Sequence, residues 1–273
     1  MNAKPFGRPI RLDPQMFILK PMQRCYVAYF DVLGMKSLIR KEPARAWDVL
    51  CDLFEHRQES LELSITLSES RTVIVDRVKH FAFSDSVVLY TEGATPEDLC
   101  ALSVIAMSFF NRALHAGIPA RGAITCGNFV WDEKMQIFAG PALVDAVEIG
   151  EAVQWIGVAA SAEVASEAGK PPHPLRIEGI GDLYVPWQLP LKDGQFHAAY
   201  ALDWPNVIIL KTAPLPISAE QFYAPSEKFF GPLSGLPKKD QDKYANTARF
   251  ITSRRAAEHA VAAVDRPRTA ARS

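Results

Sequence analysis

The sequence predicts an α+β protein of βαββαβ order with C-terminal additions, and three observations carry that expectation. The apolar run YVAYFDVLG, residues 26–34, reads as a central strand that delivers one carboxylate, Asp31, and turns at Gly34. A second β-rich run, HFAFSDSVVLYT at 80–91, is broken at its middle by Ser84, Asp85 and Ser86, and reads as a hairpin with Asp85 at its tip. Around these runs, apolar residues return at helical spacing, so strands and helices alternate along the chain.

Taken in order, residues 1–20 mix Pro, Arg and Lys with a few apolar side chains, and are expected to form an irregular arm docked on the core or on a second subunit. After the first strand, residues 35–40 begin a short helix with Lys36 in its first turn. Pro43 opens a longer helix in which Trp47, Leu50, Leu53, Phe54 and Leu61 recur as an apolar stripe. Residues 72–78 and the 80–91 hairpin follow as strands. Thr95, Pro96 and Asp98 then give a helix start, with an N-cap, Pro at the first position and an acid in the first turn; that helix stops at Gly117.

Residues 118–132, IPARGAITCGNFVWD, read as a strand with Gly122 and Gly127 inside it. MQIFAGPALVDAVEIGEAV then passes from a short strand through Gly140 and Pro141 into a helix. Strand, helix, two strands, helix, strand is the ferredoxin-like plan, here with a further strand and helix. Beyond 171 the chain is rich in Pro and Trp, with a turn at Asp193 and Gly194, a strand at 207–211, and a last helix at 241–264 before a basic tail expected to be disordered. The division expected is an arm at 1–20, one domain over 21–212, an extension packed on the core at 213–264, and a tail at 265–273.

A chain of 273 residues, 48% apolar, can bury one substantial core. A net charge of −1 and a pI near 6.6 argue against a broad nucleic-acid footprint, and no nucleic-acid partner is expected. Cys25, Cys51, Cys100 and Cys126 lack metal-type spacing and sit in apolar contexts, as reduced core thiols do, so a cytoplasmic location is expected. No apolar run approaches the roughly 20 residues that span a bilayer, and the polar start has no signal-type apolar region. His80, His115, His173 and His197 fall on different elements without His-x-x-x-His spacing, which excludes the common zinc motif; no Walker, dinucleotide or Gly-x-Ser-x-Gly pattern occurs.

Asp31 either presents its carboxylate to a ligand or caps the helix that follows. The second strand with an acid at its turn favours the ligand, because two carboxylates can hold hard divalent cations against a triphosphate.

Four segments, YFDVLGMKSL around Asp31, FSDSVVLY around Asp85, IPARGAITCG around Arg121 and IFAGPALVDAVEI around Gly140, are joined by KDGQF and KYANTARF and cover most of 26–250. In this order and spacing the chain resembles the catalytic domain of the class III nucleotidyl cyclases, and more closely the bacterial Pycsar-type pyrimidine cyclases, which make cyclic UMP or cyclic CMP in defence against phage. The resemblance implies a class III cyclase domain over 21–212 and a homodimer with its active sites between subunits. It also implies two Mn²⁺ or Mg²⁺ ions, cyclisation of a nucleoside triphosphate with release of pyrophosphate, and a product read by a separate effector. The implied metal ligands are Asp31, Asp85 and the Val32 carbonyl. The N–H groups of Leu33, Gly34, Met35 and Lys36 would cradle the β- and γ-phosphates, and Ser84 falls among the implied substrate-binding residues. Lys36 is either an added cation or a solvated helix-surface lysine.

The chain also departs from that pattern. Where purine cyclases keep two polar base-reading residues it has Phe81 and Ile137, which cannot pair with a purine edge. Both are either part of an apolar base pocket, which favours UTP or CTP with UTP preferred, or ordinary core residues. Where those enzymes keep an Asn and a transition-state Arg it has Val144 and Glu148, with Asp145 beside the former. The developing charge still needs a cation: Arg121 is the leading substitute, or else packs against an Asp or Glu, and Lys79, Lys243 and Arg249 are further candidates. A different class of reading is a binding or regulatory protein on a degenerate cyclase fold. A diguanylate cyclase is disfavoured because FSDSV lacks the paired glycines and second acid. One face of the first strand, bearing Val27, Tyr29 and Asp31, is expected to need a second subunit to cover it.

Overall fold

The first apolar run forms β1 (Gln23–Val32), which is apolar almost throughout because both of its faces are covered. Tyr26, Ala28 and Phe30 enter the larger core on one side, and Cys25, Val27 and Tyr29 a smaller core on the other. The computed structural model describes residues 21–61, 65–67, 71–73, 77–169, 176–177, 181–206 and 218–264. The arm expected at 1–20, the strand expected at 207–211 and the tail at 265–273 lie outside the described residues.

After β1 come α1 (Met35–Lys41) and α2 (Pro43–Leu61), then a ribbon of β2 (Ile65–Leu67) and β3 (Arg71–Val73), and the hairpin of β4 (Val78–Phe83) and β5 (Ser86–Thr91). α3 (Pro96–Ala116) leads to β6 (Ala120–Asp132), β7 (Ile137–Ala139) and α4 (Pro141–Ala152). β8 (Val158–Ala160), α5 (Ala162–Ala168), a short ribbon of β9 (Arg176–Ile177) and β10 (Gly181–Asp182), and the hairpin of β11 (Tyr184–Pro190) and β12 (Phe196–Leu202) follow. The chain closes with α6 (Ala219–Tyr223), α7 (Glu227–Phe230) and α8 (Lys238–Val264).

The main sheet runs β11-β12-β8-β6-β1-β5-β4, with β7 paired to β6, and every pairing in it is antiparallel except β6 with β8. Its β6-β1-β5-β4 portion is the split βαβ arrangement expected from the order of elements. The architecture is therefore α+β, as the sequence predicts, and the additions widen the same sheet.

α3 is capped as its sequence dictates. The Thr95 hydroxyl accepts from the Asp98 N–H at 3.2 Å, Asp98 accepts from the Thr95 N–H at 3.0 Å, and Gly117 ends the helix in the left-handed region at φ 84°. At 21 residues α3 is long and apolar enough to cross a membrane by length and composition, which corrects the expectation that no run is. Most of it is buried in the larger core.

Three further expectations change. The face of β1 that bears Val27 and Tyr29 is covered by Ala142 and Ala146 of α4 in the same chain, so it needs no second subunit. Trp47 is 68% exposed, while Ala46, Val49 and Leu53 make the buried stripe of α2; small residues let the helix sit close to the core, and a bulky ring marks its outer face. The last helix begins earlier than residue 241, because the Pro237 carbonyl already accepts from the Asp240 N–H at 2.8 Å.

Candidate active site at the end of the central strands

Asp31, one residue before the end of β1, has Ser86 opposite it on β5 and Arg121 opposite it on β6. Alternation along the strands puts Asp31 and Arg121 on the face that α4 covers. Arg121 donates from Nε at 3.1 Å and from Nη2 at 3.0 Å to one oxygen, Asp31 Oδ2, and from Nη1 at 3.0 Å to the Glu151 carbonyl in the last turn of α4. Both side chains are largely enclosed, 10% exposed for Arg121 and 16% for Asp31. A cation at a helix C-terminus also meets the negative end of the peptide dipoles. Of the two readings of Arg121, the ion pair is the one the structure contains: each of its side-chain nitrogens is engaged.

Asp85 sits in the two-residue turn between β4 and β5, after Ser84, which turns the corner at φ 56°. Its backbone carbonyl accepts from the Val32 N–H at 3.1 Å, which locks the hairpin tip beside the end of β1. Asp85 as a whole residue is 9% exposed, and its carboxylate makes no hydrogen bond or ion pair with another described residue. Burial pushes the Asp31 carboxyl above its ordinary value; Arg121 opposes this, while Asp85 and Glu151 add to it. Beside the pair, the Tyr29 hydroxyl and Ser86 Oγ share a hydrogen bond of 3.2 Å.

The turn out of β1 depends on Gly34, whose φ of +84° a residue with a Cβ rarely adopts; that Cβ would also meet the Phe230 ring at 3.3 Å. Ser37 and Leu38 both donate to the Gly34 carbonyl at 3.1 Å, which starts α1. Leu33 does not fit the role of phosphate donor, because its N–H is taken by the Pro119 carbonyl at 2.9 Å. The N–H groups of Gly34, Met35 and Lys36 stand at the helix start, where no intrahelical acceptor exists. Leu33, Gly34, Phe230, Tyr244, Asp240 and Lys243 line a cleft against this turn.

The other candidates are placed as follows. Phe81 is half-buried and stacks flat on Phe138, with centroids 3.8 Å apart and planes at 16°, so one face of its ring is already covered. Ile137 is 46% exposed, which removes the reading of it as an ordinary core residue. Val144 and Glu148 lie on the outer side of α4, because Ala142, Ala146 and Gly150 face the sheet. Lys79 is held by Glu92 at 2.7 Å and Glu133 at 3.3 Å. The Arg249 guanidinium lies over the Phe196 ring at 5.3 Å, and Lys36 is exposed on α1.

Two groups at this site were not singled out from the sequence. Glu151 contributes through its carbonyl and its charge. Lys192, at the head of the KDGQF segment, donates its N–H to the Ala152 carbonyl at 3.0 Å. Its ammonium is held below the ordinary value by burial and by Arg121, with Lys243 adding to the effect and Glu151 and Asp31 opposing it. A lysine next to a Gly-bearing turn was the available signal; its closeness to Asp31 depends on the β11–β12 hairpin, which the sequence shows only as a turn.

Among the described residues no three His, Cys, Asp or Glu side chains converge as a self-sufficient metal cage. The donors present are the Asp31 oxygen that Arg121 leaves unused and the Asp85 carboxylate. Hard oxygen donors in this number suit Mg²⁺ or Mn²⁺, which commonly take one or two carboxylates and complete their shells with water and substrate phosphates.

No family model and no curated protein matches the chain. Among solved structures, it is similar to the catalytic core of a rhodopsin-guanylyl cyclase with converted specificity in complex with ATPαS, at a TM-score of 0.48 and 11% identity over 67% of this chain and 96% of that one. It is also similar to a bacterial light-regulated adenylyl cyclase, at 0.44 and 11% over 68% of this chain and 53% of that one. A class III adenylyl cyclase-like ATP-binding protein from Pseudomonas aeruginosa gives 0.34 and 12% over 54% and 35%. The chain thus spans about half of the second and about a third of the third.

Proposed function

We propose that the protein is a divalent-metal-dependent nucleotidyl cyclase that converts a pyrimidine nucleoside triphosphate, UTP in preference to CTP, to its 3′,5′-cyclic monophosphate. The observation that carries the reading is the convergence of Asp31 and Asp85 at one end of adjacent strands, beside the Gly34 turn. Bound Mg²⁺ or Mn²⁺ would neutralise phosphate charge and make the ribose hydroxyl more acidic. Asp31 and Asp85, with the Val32 carbonyl, would hold it; Arg121 would fix the Asp31 rotamer so that one oxygen stays turned to the ligand. The triphosphate would lie along the turn at Gly34, Met35 and Lys36, with Lys192 supplying positive charge that the outer face of α4 lacks.

In the reaction, the 3′-hydroxyl oxygen forms a bond to the α-phosphorus. The bond from that phosphorus to the α–β bridging oxygen breaks, pyrophosphate leaves with the electron pair, and the hydroxyl proton passes to water. The apolar surroundings of Phe81 and Ile137 offer no hydrogen-bond partner specific for a purine, which supports the pyrimidine preference. On this reading the enzyme works as a homodimer in the cytoplasm, with Ser84 and Ile137 near the substrate, and its cyclic product serves as a messenger in anti-phage defence through a separate effector.

A second reading, a nucleotide-binding regulator on the same fold, is favoured by the full engagement of Arg121 and by Val144 and Glu148 in place of Asn and Arg. Incubation of the purified protein with each of the four nucleoside triphosphates and Mn²⁺, with products identified by mass spectrometry, separates the two. Cyclic UMP or cyclic CMP supports the cyclase; bound but unchanged nucleotide supports the regulator.

A further inference from the structure

We propose that Lys243, carried by the C-terminal helix α8, contacts the terminal phosphates of the substrate, so that the C-terminal addition completes the phosphate site; this rests on the cyclase reading above. Lys243 lines the same cleft as Leu33 and Gly34. Its side chain is only 14% exposed, and Asp240 meets it at 2.7 Å. An ammonium carries three donors, so one carboxylate leaves it capacity for an oxyanion.

The helix that presents Lys243 is fastened to the core through the residues that follow it. The Tyr244 ring packs edge-on against Tyr223 at 4.8 Å, Asn246 Nδ2 donates to the Gln154 carbonyl at 2.6 Å, and Thr247 Oγ1 accepts from the Ile156 N–H at 2.8 Å. Further along, Arg254 forks onto the buried Asp203 at 3.0 and 2.8 Å. Lys243 is therefore held at a fixed distance from the Gly34 turn, as a charge that stabilises a transition state must be. Lys192 lies within reach of the charges of both Lys243 and Arg121.

The test compares Lys243→Met and Lys243→Arg with Lys238→Met, which removes a lysine of the same helix that is 81% exposed. Two quantities are read: KM and kcat for UTP with Mn²⁺, and calorimetric binding of inorganic tripolyphosphate with Mn²⁺. Lys243→Met should raise KM and weaken tripolyphosphate by about tenfold or more, as loss of a charged hydrogen bond does. Lys243→Arg should recover most of this, and Lys238→Met should change neither quantity. An active wild type in which Lys243→Met keeps its KM and its tripolyphosphate affinity overturns this inference and leaves the cyclase reading standing. A wild type that neither turns over nor binds tripolyphosphate overturns both. If Lys243→Met does not fold, Asp240→Asn decides: release of Lys243 should tighten tripolyphosphate, and unchanged affinity overturns the proposal.

Discussion

Arg121 and Asp31 face each other across the β1–β6 pair, and two guanidinium nitrogens, at 3.1 and 3.0 Å, share a single carboxylate oxygen. The arrangement orients Asp31 and ties the end of β1 to the end of α4 through Glu151. It also means that the two acids of the site differ in kind. Asp31 belongs to an enclosed ion pair, whereas the Asp85 carboxylate has no ion-pair partner among the described residues.

Removing one member of an enclosed ion pair leaves the other uncompensated, so Arg121→Met should destabilise the fold by about 3–5 kcal/mol. Asp31→Ala should also destabilise it, because the enclosed Arg121 charge is then left without its carboxylate. The double variant Asp31→Asn with Arg121→Met should recover part of the loss. Urea unfolding of the three variants checks this, and fully additive losses would show that the pair is not coupled.

The raised carboxyl of Asp31 gives a pH dependence with a definite sign. In the metal-free protein the folded state holds the proton to higher pH than the unfolded chain does, so stability falls as pH rises from the ordinary value of 3.8 through the raised one. Asp31→Asn should remove that part of the slope. Unfolding free energies of both proteins across this window test the claim, and identical slopes would contradict it.

Much of this was legible in the sequence. The strand ending in Asp31, the hairpin at Asp85, the Thr95 cap, the Gly117 stop and the α+β order follow from apolar runs, turn residues and caps, which are local signals. The region from 153 to 206 was not, apart from its turn at Asp193 and Gly194. β8 has only three residues, β11 is interrupted by Pro186 and Gln188, and β12 is short and carries His197, so their place in the sheet is set by pairing with distant strands. For the same reason Lys192 and Glu151 gave no sign of standing near Asp31.

Gly34→Ala should cost about 1–2 kcal/mol, since its left-handed backbone disfavours a Cβ and the Phe230 ring must give way as well. The same change should disturb the phosphate turn, so KM for nucleotide should rise more than the loss of stability alone accounts for. Thermal unfolding and steady-state kinetics measured together separate the two effects.

Phe81→Ala breaks the stack with Phe138, which is worth about 0.5–1.5 kcal/mol beyond its burial. If these rings bound the base pocket, the enlarged space should shift the preference from UTP towards purines. Relative kcat/KM values for the four nucleotides that do not change would show that Phe81 only packs.

The most direct measurement is turnover and Mn²⁺ binding by Asp85→Ala, because Asp85 can be removed without breaking an ion pair among the described residues. A folded variant with the wild-type melting temperature should lose product formation by about two orders of magnitude or more, and bind Mn²⁺ measurably more weakly, as loss of a metal ligand implies. Near wild-type turnover by that variant would contradict the assignment of Asp31 and Asp85 as the metal-binding pair.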